Sequence, residues 1–224
     1  MSVHFPKTAG TSFGLSLRQC FAERLQEDYA MLPFNQPAAR RVWQAVGAGI
    51  RRSVDATWPD AIHGHFLPVK YRIALRGRPA HYVTWLRDPV ERLLSHYYYW
   101  QRTADAATPA QPLRYRMARE QWSLERFCFA PELRDLYRQC LWGFPPERFS
   151  FIGITEHYET DLACFASRFL GDAPAVSMAR VNAERVEARY RIDPGLRLRI
   201  EQHHRADMRL YRWALRERER RAAA

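Results

Sequence analysis

Two stretches decide how this chain folds: PKTAGTS at residues 6–12 and RDPVERLLS at residues 87–95. Each follows a short apolar run, SVHF at 2–5 and HYVTWL at 81–86, and each opens a helical pattern. The β-branched and aromatic residues of 81–86 make it the clearest buried strand. Behind it Asp88 is the expected N-cap, Pro89 takes the first helical position, and Glu91 stands three residues past the cap. That start signal predicts a helix to about Gln101. A strand delivering the chain to a helix N-terminus makes an anion site, because unpaired N–H groups and the positive end of the helix dipole converge there.

Working outward, Leu15, Leu17, Phe21 and Leu25 recur at helical spacing and predict that the first helix runs to about Tyr29. Residues 38–54 read as a second helix with Val42, Trp43, Val46 and Ile50 on one side. DAIHGHF at 60–66 is a candidate strand and turn, and 103–112 a surface loop. Amphipathic helical stretches follow at 124–129 and 131–142, then a strand, FSFIGI at 149–154, and a helix near 158–170. Residues 174–194 are mixed, and a long arginine-rich helix closes the chain. Alternating strands and helices predict an α/β fold of three layers, a central parallel sheet flanked by helices, with ligands at the carboxyl ends of the strands. No repeat or second domain is visible, so residues 1–224 are expected to form one domain.

Composition bounds the function. With 47% hydrophobic residues the chain is globular rather than disordered, and a net charge of +11 points to an anionic substrate or partner. The cations are nearly all arginine; Lys7 and Lys70 are the two lysines, so a lysine at position 7 does not follow from general abundance. Cys20, Cys128, Cys140 and Cys164 have no CxxC or zinc spacing and read as buried thiols in a reducing compartment, ahead of an unseen disulfide. No apolar run approaches the ~20 residues of a membrane span, and no signal peptide is recognisable, so the expected location is cytoplasmic.

Three constellations carry the chemistry. In Lys7-Thr8-Ala9-Gly10-Thr11-Ser12 the glycine permits close backbone approach, and three hydroxyls add donors to a lysine. The segment is similar to a P-loop but is not a Walker A box, whose lysine follows the glycines; an ordinary strand–helix turn would also use these residues. Arg87 stands where a strand hands side chains to the ligand edge and can grip a terminal phosphate bidentately. Ser95, two turns on, can add a hydroxyl, although a capped turn and a solvated helix face account for the same residues. The two anion sites together suit a nucleotide with phosphate-like groups at two separated positions. His63 and His65, two apart on a strand, share a face; nothing supplies an obvious third metal ligand, and the pair is read either as structural histidines or as an imidazole that takes a hydroxyl proton near neutrality.

PKTAGTSF, HGHF and RDPVERLLSHYYYW, in this order and at these separations, resemble the carbohydrate sulfotransferases that use 3′-phosphoadenosine 5′-phosphosulfate. The nearest group is the uronyl and heparan sulfate 2-O-sulfotransferases, and FSFIGITEHYE at 149–159 is similar to their later strand and helix. The resemblance is dense over residues 3–100 and 149–170. It implies that Lys7, Thr8, Ala9, Gly10, Thr11 and Ser12 hold the 5′-phosphosulfate, that Arg87 and Ser95 hold the 3′-phosphate, and that Lys7 stabilises the leaving oxygen. It further implies His65 as general base, with His63 supporting it or orienting the acceptor, and no metal requirement. The implied partner is a saccharide or glycolipid with a free hydroxyl, not a nucleic acid.

Two other classes share some of these features. A P-loop kinase would use the lysine loop but require magnesium and ATP. A basic polyanion-binding protein would use the arginine run at 209–221, although a solvated helical face explains that run and binding alone leaves the histidine pair without a purpose. The tyrosine and tryptophan side chains of 97–100 either pack their helix or line the acceptor cleft.

Overall fold

The sheet is built from the strands that precede the two deciding stretches. In the computed structural model, which describes residues 1–171 and 190–223, β1 (Ser2–Val3) lies centrally, between β3 (Ala61–Gly64) and β4 (Tyr82–Leu86). β2 (Leu25–Glu27) extends the sheet beyond β3, and β5 (Phe149–Ile154) extends it beyond β4. The order is β2-β3-β1-β4-β5, every pairing is parallel, and helices cover the sheet. Parallel pairing sends the chain off β3, β1 and β4 at one edge, so the segments after these three neighbouring strands meet there.

Period-two alternation sets the layers. Val83, Trp85 and Phe151 face α1 (Gly10–Phe21) and α8 (Tyr158–Phe169) through Phe13, Leu17, Leu162 and Phe165. Tyr82, Leu86, Ile152 and Ile154 face the opposite way, against α7 (Leu136–Cys140) and α10 (Arg205–Ala223) through Tyr137, Cys140 and Tyr211. A further cluster joins α4 (Pro89–Arg102), α5 (Pro112–Arg119), α6 (Leu124–Cys128) and α9 (Pro194–His203).

The structure departs from the sequence reading in four places. α1 ends at Phe21: Ala22 takes a positive φ of 47°, and Leu25, read as helical, opens β2 and pairs with Ala61. In α2 (Ala38–Arg52) the core side is Arg41, Ala45 and Gly49, while Trp43 is 76% and Ile50 58% exposed. The reason is a close crossing with α3 (Val69–Ala74): a Cβ on Gly49 would stand 2.6 Å from the Lys70 carbonyl oxygen, so only small residues fit between the helices. The stretch 131–142 is a 3-10 turn followed by the short α7, because Asp135 sits at a positive φ of 48°. The arginine-rich end is two helices broken at His204, whose Nε2 bonds to the Cys128 carbonyl at 2.8 Å. Most of the mixed stretch at 174–194 lies outside the described residues.

The start of α4 agrees with the sequence. Asp88 caps α4, its Oδ1 accepting from the Val90 and Glu91 amides at 2.9 and 3.0 Å. All four cysteines are free, but of the four expected to be buried only Cys128 and Cys140 are; Cys20, near the end of α1, and Cys164, on α8, are partly exposed. Lys70 has a structural role: its Nζ lies 2.5 Å from Asp28 Oδ2, which also accepts from the Tyr71 hydroxyl at 2.8 Å, all three side chains being buried. Among the described residues no helix is long and apolar enough to cross a membrane.

Candidate active site

The loop between β1 and α1 winds through two left-handed residues, Lys7 (φ 67°) and Ala9 (φ 62°), an arrangement that turns successive backbone N–H groups toward one concavity. No side chain caps α1. The Thr8 hydroxyl instead donates to the Phe5 carbonyl at 2.9 Å, which fixes the loop. Ser12 Oγ is buried without a partner, an orphaned donor beside the uncapped first turn. At Gly10 a Cβ would fall 1.9 Å from the His4 ring, so any side chain there would have to displace that ring. The donors of such a turn suit a phosphate-sized anion.

Arg87 leaves the end of β4 and donates from Nη1 to the Lys7 carbonyl at 3.4 Å. Its backbone is fixed from behind by Tyr137, whose hydroxyl donates to the Arg87 carbonyl at 2.9 Å and accepts from its amide at 3.1 Å. Lys7 Nζ sits 4.2 Å from the centre of the Tyr99 ring on α4. The lysine loop therefore touches both ends of the 87–99 segment, and Ser95 stands half-buried one turn before Tyr99. Burial, with Arg87 and Arg102 adding repulsion, pushes the Lys7 ammonium down to about 8.

His65 leaves the end of β3 and points its Nδ1 at the His4 carbonyl oxygen, 2.5 Å away. A carbonyl only accepts, so Nδ1 carries the proton and the Nε2 lone pair is the free one. Burial pushes the imidazole down to about 4, with the His4 hydrogen bond opposing, so the ring is neutral at pH 7. The His4 ring is stacked between its two neighbours, 4.3 Å from His65 and 5.2 Å from His63. His63 itself is 1% exposed, hydrogen-bonded to Ser2 Oγ at 2.8 Å and packed beneath α1. It reaches the cleft only through His4 and so has no surface for orienting an acceptor.

A cleft of about 380 Å³ brings together Lys7, Thr11 and His65 with His4, His96 and Trp100. Arg87, Ser95 and His63 do not line it. Glu91, two per cent exposed, is not a solvated partner of Ser95: its carboxylate accepts from Arg197 at 3.0 Å and from the Tyr190 amide at 3.2 Å. The 97–100 aromatics divide their work. Tyr97 is buried and donates to the Trp122 carbonyl at 3.1 Å, whereas Tyr99 and Trp100 face the cleft.

Sequence reasoning passed over His4, His96, Asn35, Gln111 and Arg114, all of which line the cleft. His4 was legible as the last polar side chain before the lysine loop. The others are set by tertiary packing; Arg114, for example, is fixed by the Thr103 carbonyl at 2.6 Å and Gln111 at 2.8 Å. Among the described residues no group of three side chains could hold a metal ion. No protein-family model and no curated protein sequence matches the chain.

Proposed function

We propose that this chain is a sulfotransferase of P-loop-like fold, moving the sulfuryl group of 3′-phosphoadenosine 5′-phosphosulfate to a hydroxyl, most simply of a saccharide or glycolipid, in the cytoplasm. The observation that carries the reading is the meeting of three strand ends. The uncapped lysine loop, an arginine touching that loop, and a neutral imidazole with a free Nε2 come from adjacent β1, β4 and β3.

In this reading the N–H groups of the 7–12 loop and Ser12 Oγ take the 5′-phosphosulfate, and Arg87 with Ser95 takes the 3′-phosphate. The acceptor hydroxyl enters the cleft beside His65. Its oxygen attacks sulfur in line and its proton passes to His65 Nε2, while the bond from sulfur to the bridging oxygen breaks and adenosine 3′,5′-bisphosphate leaves. Lys7 meets the charge growing on that bridging oxygen, and base catalysis of this kind contributes roughly 10²–10⁴-fold. His4 and His63 hold the His65 ring and its tautomer.

Incubating the purified protein with radiolabelled donor, EDTA and a panel of glycans and glycolipids tests the proposal. The expected result is label on a saccharide hydroxyl, insensitive to EDTA and lost in Lys7→Ala and His65→Ala. Magnesium-dependent transfer from ATP would instead identify the kinase reading, and binding of polyanions with no transfer at all would identify the third.

A further inference from the structure

The exposed side of α2 is as apolar as a buried helix face. Ala39, Trp43, Val46 and Ile50 recur at spacings of four, three and four, the period of a helix–helix seam, and Val54 follows in the turn after the helix. Trp43 is 76%, Ile50 58% and Val54 78% exposed, so no element of the described chain covers this stripe. Its first half forms one wall of a groove of about 790 Å³, whose other walls come from α7 and the start of α10. Trp142, half-exposed, closes one end of the groove, and Ala38, Val42 and Pro131 contribute apolar surface to its lining.

Arginine surrounds this surface. Arg134, Arg138, Arg205 and Arg209 line the groove, and their guanidinium groups have no hydrogen-bond or ion-pair partner among the described residues. The one carboxylate present, Asp135, is already engaged by the Ala206 and Asp207 amides at 3.0 and 3.1 Å. Unpaired cations around an apolar floor exclude a second copy of this chain, which would bring arginine against arginine on molecules each carrying +11. A free polyanion would match the charge but leave the stripe in water. Both features are matched at once by a helix with an apolar seam flanked by glutamate and aspartate.

We propose that α2 and the adjoining groove dock an acidic amphipathic helix of a partner protein. The seam from Ala39 to Ile50 spans about 16 Å at 1.5 Å per residue, so the partner contributes roughly three turns. Trp43 and Trp142 are the anchors, since exposed tryptophans beside arginine are the side chains that dominate such interfaces. The groove shares no lining residue with the 380 Å³ cleft, and the proposal does not depend on the chemistry assigned to that cleft.

The probe is a fluorescein-labelled 18-residue peptide with leucine at seam positions and glutamate at the flanking ones. Its anisotropy is titrated with the full chain, beside a scrambled peptide of the same composition, a heparin oligosaccharide and an oligothymidylate. Expected are saturable binding of the amphipathic peptide, weakening with salt, and a loss of about tenfold or more, the scale of an interface anchor, in Trp43→Ala and in the Arg138→Gln/Arg209→Gln double variant. Trp43 is so exposed that its removal leaves the fold intact, which an unchanged thermal midpoint verifies. Equal binding of the scrambled peptide, no binding of the amphipathic one, displacement of the peptide by heparin or oligothymidylate in a Trp43-dependent way, or a Trp43-dependent dimer in sedimentation would each overturn the proposal.

Discussion

Lys7 offers a titration that reads the nucleotide site without knowledge of the acceptor. Its ammonium is lowered from an ordinary 10.5 to about 8, first by burial and then by Arg87 and Arg102. A depressed lysine is charged below its folded value and neutral above it, so the cation is present at pH 7 and mostly gone one unit above 8. If the charged form alone binds, affinity for adenosine 3′,5′-bisphosphate falls about tenfold by about pH 9, because a tenfold excess of neutral lysine must first be reprotonated. The ceiling on this loss is the contribution of the ammonium itself. A hydrogen bond to a charged group contributes about 1.5–3 kcal/mol, or roughly 10- to 150-fold, so the full tenfold step is accessible. The ligand phosphates, with second ionisations near ~6, add nothing above neutrality. Calorimetric titrations from about pH 6.5 to 9.5 should show the decline in the native chain. Lys7→Ala should bind more weakly with no decline, and Lys7→Arg should also be flat because a guanidinium does not titrate in this range. A native affinity that stays constant to about pH 9.5 refutes the placement of this ammonium against the nucleotide.

Three further outcomes follow from the geometry. His65→Ala should lower kcat by ~10²-fold or more while adenosine 3′,5′-bisphosphate still binds; unchanged turnover in the purified variant removes the base from the mechanism. Gly10→Ala must displace the His4 ring, which a Cβ would meet at 1.9 Å; overpacking of this kind costs about 1–3 kcal/mol, against at most about 1 gained from helix propensity, so the urea midpoint should fall. Acid should destabilise the fold: His63, His65 and His204 are each pushed down to about 4, chiefly by burial, so between about 4 and 6.5 the unfolded chain holds more protons than the folded one. The histidine contribution is then complete above about 6.5 and is lost toward 4 by up to about 1.4 kcal/mol per pH unit for each histidine. Asp207, raised to about 7 by burial, opposes this with one proton, but His4 and His96, both held well below the ordinary imidazole value by burial, add to the three histidines, so the sign of the slope stands. Equal urea midpoints at pH 5 and 7.5 would contradict this accounting.

What the sequence revealed was local chemistry. Asp88, Pro89 and Glu91 set the start of α4 because a cap is a short-range device, and the apolar runs at 81–86 and 149–154 became β4 and β5 because burial on both faces needs continuous apolar residues. β2 was illegible for the opposite reason: a three-residue edge strand has no periodicity of its own and exists through pairing with β3. Hydrophobic spacing does not mark the inner side of α2, because the close crossing with α3 reserves that side for Ala45 and Gly49. At the site, Lys7, Arg87 and His65 were visible as chemically apt residues behind strands. The stacking of His4 between His63 and His65, and the approach of Tyr99 to Lys7, depend on strand order and helix packing that no local pattern encodes.

The central claim is that the lysine loop and the end of β4 hold opposite ends of one nucleotide. The most direct test compares the affinities of adenosine 3′,5′-bisphosphate and adenosine 5′-monophosphate for the native chain and for Arg87→Ala, in EDTA. The account predicts that the native chain prefers the bisphosphate by roughly 10- to 150-fold, the scale of hydrogen bonds to a charged group, and that Arg87→Ala binds the two ligands alike. A preference that survives the loss of Arg87 would contradict it.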